Sequence, residues 1–332
     1  MSTVRQALQS ALEENGGAIP FDTFMDLALH HPQDGYYTRH VRRIGAGGDF
    51  TTVPEISPDL GRGLAGWLRS EAARRGWRKF HVIECGPGSG ALAKAVMESL
   101  GWLERRRISL HLVETSEPLR TEQARTLGQF RPSWHATAGE ALAACGGKAL
   151  IYHNEFFDAF PCRVFRRQPE GWSELYLRVS EGKLREVFKT PSRPVAPAEA
   201  FHRAWPEGQR IEVFESVTAW IKEAAHSWQA GAMMVIDYGG RTEEIYHRRP
   251  AGTLRAYRGQ QRLTGNEVYE LPGRQDITAD VNFDDLAAWG RAVGWRADAA
   301  PWTGGVPTGP TGAAEAFRSM VLTADQAAKD PR

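Results

Sequence analysis

The chain has 332 residues with 41 basic and 40 acidic side chains, so its formal net charge at pH 7 is +1. This balance excludes an overall electrostatic field that would draw the protein onto nucleic acid or an anionic membrane. The length lies just above the size at which single hydrophobic cores stop growing. It is therefore compatible with one domain that carries insertions and with two packed domains.

The cysteines and the N-terminus bear on the cellular compartment. Cys85, Cys145 and Cys162 are far apart and form no Cys-x-x-Cys pair, which indicates neither a disulfide framework nor a zinc site. The opening MSTVRQALQSALEENGG lacks the apolar centre of a signal peptide and carries Glu13 and Glu14. No apolar run approaches the ~20 residues of a membrane-spanning helix. We therefore expect a protein of the bacterial cytoplasm that is not inserted in a membrane.

The first 76 residues show apolar positions at helical spacing. Two helices are predicted before residue 30, separated by Gly16, Gly17 and Pro20. A third is predicted in ISPDLGRGLAGWLRSEAARRG, because Ser57 is a suitable N-cap and Pro58 suits the first helical position.

From residue 79 the chain alternates short apolar runs with helical segments. The runs KFHVIEC, ISLHLVET, KALIYHNE and GAMMVIDYG are typical of strands that are buried on both faces. This alternation predicts an α/β fold with a Rossmann-like, doubly wound and mostly parallel sheet.

Between the third and fourth of these strands the pattern changes. RVFRRQ, WSELYLRV and KLREVFK alternate in polarity and are joined by Pro-Glu-Gly and Ser-Glu-Gly, which predicts the hairpins of an antiparallel insertion. Residues 191–208 contain four prolines and predict a connector, and residues 240–275 predict an irregular excursion on the substrate side. The expected division is an N-terminal helical segment (1–76) that covers the ligand-binding edge of a Rossmann-like core (77–161), then the insertion with a connector helix (162–230) and the remainder of the core with the excursion (231–332).

The stretch HVIECGPGSGALAKAV has glycines at every second position between a strand and a helix. Gly86, Gly88 and Gly90 would let the backbone approach a ligand, at which the N–H groups of the helix would point. A dinucleotide fits the pattern through Gly86, Gly88 and Ala91, with Glu114 binding the ribose. The alternative to a bound nucleotide-like cofactor is a tight strand–helix turn that binds no ligand.

Three details favour S-adenosyl-L-methionine over a dinucleotide. Glu84 ends the first strand in an E-x-G-x-G-x-G sequence, the common methyltransferase form, in which the carboxylate can face the cofactor's ammonium group. The second strand ends in LVETS, which offers Glu114 to the two ribose hydroxyls. The third strand runs into YHNEFFDAFP. This segment is rich in polar groups, and it lies where methyltransferases usually place their catalytic loop.

Seven segments of the chain resemble the motifs of the MidA family in order and spacing. They are GDFTTVPEISPDLGRGLA, ECGPGSGALA, HLVETSEPLRTEQ, NEFFDAFP, MVIDYG, GTLRAYR and QDITADVNFDDLA. The resemblance as a whole runs from about residue 18 to about residue 295. The resemblance implies a class I methyltransferase fold with S-adenosyl-L-methionine as cofactor. It further implies a protein arginine N-methyltransferase that is linked to the assembly of respiratory complex I.

The resemblance assigns the chemistry to the residues after the third strand. Asn154, Glu155 and Asp158 lie where arginine methyltransferases of other families carry paired carboxylates, and they would be catalytic. A guanidinium must offer a nitrogen lone pair to the methyl carbon, so carboxylates that bind it bidentately and localise its charge elsewhere would assist. The alternative is that Glu155 and Asp158 only cap a short turn.

The N-terminal segment contains further candidate site residues. Asp49 and Thr51 would contact the cofactor, and Glu55 and Tyr37 would contact the substrate. Asp49 and Glu55 could equally cap the next helix, and Tyr37 could be simple packing. His153 has no ligand partner at metal spacing, so it is treated as structural and no metal is expected.

Two other functions remain open from the sequence. A cofactor-bound assembly scaffold without turnover is favoured by the C-terminal third, where the MidA motifs fade. A small-molecule methyltransferase fits because this fold serves many substrates. A nicotinamide oxidoreductase ranks last, because no proton-transfer residue is paired with a substrate clamp.

Overall fold

The computed structural model describes residues 3–40, 59–259, 261–298 and 317–325. Its helices are α1 (Thr3–Glu14), α2 (Phe21–His30), α3 (Asp59–Arg74), α4 (Ala91–Glu98), α5 (Trp102–Arg105), α6 (Glu117–Leu127), α7 (Ala138–Ala144), α8 (Glu215–Ser227), α9 (Thr242–Tyr246) and α10 (Phe283–Ala292). Its strands are β1 (Ala18–Pro20), β2 (Phe80–Cys85), β3 (Ile108–Val113), β4 (Ser133–His135), β5 (Lys148–Asn154), β6 (Arg163–Gln168), β7 (Gly171–Ser180), β8 (Lys183–Lys189), β9 (Arg210–Val213), β10 (Ala230–Gly240), β11 (Arg255–Arg258), β12 (Gln261–Leu263), β13 (Asp276–Thr278), β14 (Val281–Asn282), β15 (Arg296–Asp298) and β16 (Phe317–Asp325).

A central sheet organises the molecule, with the strand order β4-β3-β2-β5-β10-β16-β15. The strands from β4 to β10 in this order are mutually parallel, and β16 runs antiparallel to both β10 and β15. The chain moves outward from β2 to β4 and then returns to the other side of β2 with β5. The predicted doubly wound, mostly parallel sheet and its four buried strands are therefore confirmed.

The central sheet is buried on both faces. On β5, Ala149 and Ile151 pack into one core cluster, and Leu150 and Tyr152 pack into the other. Helices α7, α8 and α10 cover the first face, and α3, α4 and α6 cover the second. This two-sided burial explains why the strand sequences are continuously apolar instead of alternating.

The three helices predicted in the first 76 residues correspond to α1, α2 and α3. In α3 the buried stripe contains Leu60, Leu64 and Leu68, at the spacing that predicted it. Its proposed capping residues Ser57 and Pro58 lie outside the described residues.

The antiparallel insertion is present as a second sheet. β6, β7 and β8 form consecutive hairpins, and β9 pairs with the outer edge of β6. Glu181 and Gly182 connect β7 to β8 with φ angles of 53° and 73°, the geometry of a type I′ turn. β1 also joins this sheet, since Ala18–Pro20 pairs with residues 176–178 of β7. The insertion is thus tied to the N-terminal segment by backbone hydrogen bonds.

The excursion over residues 240–275 is more regular than its sequence suggests. It contains α9, β11 and β12, and β11 pairs with β12 on one side and β13 on the other. The prediction of an irregular segment was wrong because strands of three or four residues are too short to show a clear period. In the described part of the chain, no helix has the length and apolar character needed to cross a bilayer.

A buried ion network anchors the insertion. The guanidinium of Arg163 bonds both oxygens of Glu174 at 2.7 Å, and both side chains are 1% exposed. Arg163 also donates to Glu215 at 2.7 Å. Arg193 lies 3.6 Å from Glu174 and bonds Asp22 of α2 at 2.7 Å, which extends the network to the N-terminal helices.

We expect Arg163→Met to lower the free energy of unfolding by about 3–5 kcal/mol, because Glu174 stays buried without its bidentate partner. Chemical denaturation of the full chain measures this value. Arg74→Met is the matched control: Arg74 pairs with Glu71 from a half-exposed position, and the change should cost less than about 1 kcal/mol. Equal losses in the two variants would show that the buried network does not anchor the fold.

Candidate active site

A pocket opens beyond the carboxyl ends of β2, β3 and β5, where ligands bind in doubly wound sheets. It contains about 1130 Å³ of empty space including its open mouth. Its walls come from the turn after β2, the ends of β3 and β5, and the N-terminal segment. The lining residues are His30, Tyr36, Tyr37, Glu84, Gly86, Pro87, Gly88, Ser89, Ala91, Leu92, Glu114, Thr115, Leu119, Asn154, Glu155, Phe156, Asp158, Ala159 and Phe160.

The glycine turn forms one wall of the pocket. Gly86, Gly88 and Gly90 have φ angles of 64°, 53° and 82°, in the left-handed region that favours glycine. A Cβ atom at Gly86 would lie 2.6 Å from the ring of Phe156, so a larger residue would displace that ring. Gly90 is the N-cap of α4 and shapes the turn from behind, against the side chain of Leu127. The N-terminus of α4 therefore faces the pocket.

Glu84 lies at the base of the pocket and is only 2% exposed. The hydroxyl of Tyr152, on the neighbouring strand, donates to its Oε2 atom at 2.9 Å. Burial raises the pKa of Glu84 to about 8. At neutral pH this carboxyl is therefore largely protonated, and a cation placed beside it would favour the ionised form.

Glu114 lines the pocket at the end of β3 and is held from two sides. Its Oε1 accepts from the backbone of Ser116 at 2.8 Å, and its Oε2 accepts from Gln123 at 3.3 Å. The same Gln123 amide donates to the carbonyl of Gly88 at 2.8 Å, while Trp134 donates to its oxygen at 2.9 Å. Burial raises the pKa of Glu114. Gln123 thus fixes the ribose candidate Glu114 relative to the glycine turn.

Asn154, the last residue of β5, and Glu155, the residue after it, both line the pocket. The amide nitrogen of Asn154 donates to Glu155 Oε1 at 2.9 Å, which leaves the amide oxygen to face other groups. That buried oxygen has no hydrogen-bond partner among the described residues. Glu155 has a φ of 51°, an uncommon conformation for a residue other than glycine that occurs often at ligand sites.

Asp158 lies in a short 3-10 turn, Phe157–Ala159, and is 7% exposed. The hydroxyl of Thr278 donates to its Oδ2 atom at 2.8 Å. Burial raises the pKa of Asp158 to about 6. Nearby, Tyr37 donates to Asp276 at 2.7 Å, and burial raises the pKa of that carboxyl to about 7.

Asp237, in β10, supports this loop from beneath. Its Oδ2 atom accepts from the backbone N–H groups of Phe156 at 3.3 Å and Phe157 at 2.9 Å. It is fully buried, and burial together with the charge of Asp158 raises its pKa. Asp237 therefore orients the loop that carries the candidate catalytic residues.

The structure brings together most residues proposed from the sequence. All of Glu84, Gly86, Gly88, Glu114, Asn154, Glu155, Asp158 and Tyr37 line one pocket. Asp49, Thr51 and Glu55 lie outside the described residues, and their roles stay predictions. His153 packs against Phe157 and Trp220, and burial lowers its pKa to about 3, so it is neutral.

Four supporting residues were missed by the sequence reasoning: Gln123, Asp237, Asp276 and Thr278. Asp237 had a detectable signal, since it follows the apolar run within β10 much as Asn154 ends β5. Gln123, Asp276 and Thr278 act through contacts between distant segments, for which a single sequence carries no local signal.

The shape and the polar groups of the pocket fit S-adenosyl-L-methionine. Positive φ angles at the turn allow close backbone approach, and Glu114 offers a carboxylate suited to a pair of ribose hydroxyls. Glu84 can accept hydrogen bonds at the base of the pocket, and in its ionised form it suits the positively charged methionine end. These residues would bind the cofactor without any rearrangement of the sheet.

Sequence comparison identifies the family. A family model described as "Putative S-adenosyl-L-methionine-dependent methyltransferase" matches residues 60–300. The mouse "Protein arginine methyltransferase NDUFAF7, mitochondrial" is 31% identical over 300 residues, which cover 81% of this chain and 66% of the mouse protein. The zebrafish (Danio rerio) protein of the same name is 30% identical over 298 residues, covering 81% and 68%. The chain thus spans about two thirds of the length of these relatives.

Solved structures agree with this assignment. A Burkholderia thailandensis protein bound to S-adenosylhomocysteine superposes with a TM-score of 0.79 and 26% identity, covering 98% of this chain and 93% of that chain. A native crystal structure of a protein from the same organism superposes with a TM-score of 0.76, at 25% sequence identity. Because the family model matches more than half of the chain, the protein belongs to the MidA-like family of S-adenosyl-L-methionine-dependent methyltransferases, and S-adenosyl-L-methionine is its cofactor.

Proposed function

We propose that the protein transfers a methyl group from S-adenosyl-L-methionine to an arginine side chain of a protein substrate. The observation that carries the proposal is that Glu155, Asp158 and the amide oxygen of Asn154 line the same pocket as the glycine turn. The cofactor supplies a methyl group that its sulfonium already activates. The protein has to supply positioning and electrostatics.

The acceptors at this end of the pocket suit a guanidinium. Arginine presents five N–H donors in a planar fork, and carboxylates bind that fork bidentately. Glu155 and Asp158 would accept from it, and the amide oxygen of Asn154 would accept a further N–H. The loop geometry imposed by Asp237 holds these acceptors in place before the substrate binds.

The nitrogen that accepts the methyl group must also lose a proton. Asp158 is suited to receive it, because its raised pKa of about 6 makes it a stronger base than an exposed aspartate while it is still ionised at pH 7. The Thr278 hydroxyl fixes one oxygen of this carboxylate. Asp158 would therefore both orient the guanidinium and take up its proton.

The names of the relatives support arginine as the target residue, since the mouse and zebrafish proteins are named protein arginine methyltransferases. The MidA resemblance supports a narrower proposal, that the methylated protein takes part in the assembly of respiratory complex I. Within the same proposal, Asp49 and Thr51 would contact the cofactor and Glu55 would contact the substrate.

We expect Asp158→Asn to lower methyl transfer by about 100-fold or more, because the amide cannot accept the proton. Cofactor affinity should stay nearly unchanged. Transfer of labelled methyl groups is measured on a library of arginine-containing peptides and on a matched library with lysine in place of arginine. Below about pH 6 the wild-type rate should also fall, because a protonated Asp158 no longer balances the guanidinium charge.

The exposed Asp298→Asn is the matched control and should keep wild-type activity. Full activity in Asp158→Asn would overturn the proposed role of this carboxylate. Equal labelling of the lysine library would overturn arginine specificity.

Glu114→Ala should weaken the binding of S-adenosylhomocysteine by about 10- to 100-fold, because two charge-assisted hydrogen bonds to the ribose are lost. Isothermal titration measures the affinity. Glu117→Ala changes an exposed acid three residues later and should have no effect. Similar affinities in both variants would place the ribose elsewhere.

Cofactor binding at pH 7 should release a proton from Glu84. Its pKa of about 8 means that it is mostly protonated before binding, and the cofactor's ammonium would lower that pKa. Affinity should therefore rise with pH up to about 8. Titration in two buffers of different ionisation enthalpy counts the proton, and Glu84→Gln should abolish its release. An unchanged count in the variant would show that Glu84 does not face the ammonium group.

A further inference from the structure

Three histidines stand side by side on neighbouring strands of the central sheet. His81, His111 and His135 belong to β2, β3 and β4, and the strand register places them on one face. His81 Nδ1 lies 3.0 Å from His111 Nε2, and His111 Nδ1 lies 3.0 Å from His135 Nε2. The cofactor pocket does not include them.

A thiol completes this cluster. Cys145 follows the last turn of α7, which packs on the same face of the sheet. Its sulfur and one ring nitrogen each of His81 and His111 all lie within 4.8 Å of one another. Cys145 is a free cysteine. His111 and Cys145 are buried, whereas His81 is only half-buried and leaves a route from solvent to the cluster.

Two imidazoles and one thiolate are the ligands that zinc prefers in proteins. Zinc binds nitrogen at about 2.0–2.1 Å and sulfur at about 2.3 Å, so its ligand atoms sit roughly 3.3–3.7 Å apart in a tetrahedron. The separations here reach that geometry with side-chain shifts of about 1 Å. Strands β2 and β3 fix the two imidazoles relative to each other.

The contact with His135 gives His111 the environment typical of a metal ligand. Ligating histidines usually donate their second N–H to a nearby acceptor, which fixes the tautomer and the ring orientation. If His111 binds through Nε2, its Nδ1–H points at the Nε2 atom of His135 at 3.0 Å. The three-histidine row thus provides two ligands and one orienting acceptor.

We propose that His81, His111 and Cys145 bind a zinc ion, with His135 orienting His111 and water completing the coordination. His81 lies five residues before Gly86 and His111 lies three residues before Glu114, or about 16 Å and about 10 Å along the extended strands, so the ion would lie outside the methyl-transfer pocket. It would join β2 and β3 to the end of α7. Its role is therefore structural, and it is independent of the proposed arginine chemistry.

The test uses the full chain, without a histidine affinity tag, after treatment with a chelator. Cobalt(II) is the probe, because a bound thiolate gives it a sulfur-to-metal charge-transfer band in the near ultraviolet. We expect one equivalent of cobalt to produce this band and one equivalent of zinc to remove it. Cys145→Ser should abolish the band, and the matched control Cys162→Ser, another buried cysteine, should retain it.

Two further variants separate ligation from misfolding. His81→Gln changes a half-buried ligand and should weaken zinc binding by at least about 100-fold, while His135→Gln should weaken it by about 10- to 100-fold. Both should keep wild-type affinity for S-adenosylhomocysteine, which reports an intact fold. No charge-transfer band in the wild-type chain, or an equal band in Cys145→Ser, would overturn the proposal.

Discussion

The site depends on the parallel register of β2, β3, β5 and β10. Glu84 pairs with Tyr152 across β2 and β5, and Asn154 pairs with Ile236 across β5 and β10. This alignment ends the strands at one edge, and it lets Tyr152 reach Glu84 and lets Asp237 reach the loop that carries the candidate catalytic residues. A slip of one residue would turn these side chains to opposite faces of the sheet, and the pocket would lose its polar floor.

Burial of carboxyl groups gives the pocket its chemical character. Desolvation raises the pKa values of Glu84, Asp158, Asp237 and Asp276, and each of them accepts at least one hydrogen bond from a tyrosine, a threonine or the backbone. Such a group of acids is tolerated in the folded protein because part of it stays protonated. A bound cation would shift the balance toward the ionised forms, which links ligand charge to proton release. A positively charged ligand would therefore fit this pocket better than a neutral or negatively charged one.

Much of the fold and the inner pocket could be predicted from the sequence, because both rest on local patterns. The glycine turn, the buried strands and the hairpins each show a signal within about ten residues. Contacts between distant segments carry no such signal: Thr278 reaches Asp158 over 120 residues, and β1 pairs with β7. The histidine row was missed for the same reason, since its members come from three strands, and the spacing of the cysteines alone gave no indication of a metal.

The pairing of β1 with β7 bears on how this family can be recombined. A short N-terminal strand and an insertion that begins more than 140 residues later share one set of backbone hydrogen bonds, and Arg193 bonds Asp22 beside them. A chimera of two relatives with a crossover between these segments would place strands from different parents in one sheet. Crossovers that take both segments from the same parent preserve the parental strand pairing. The two segments therefore have to be exchanged together, although they are far apart in the gene.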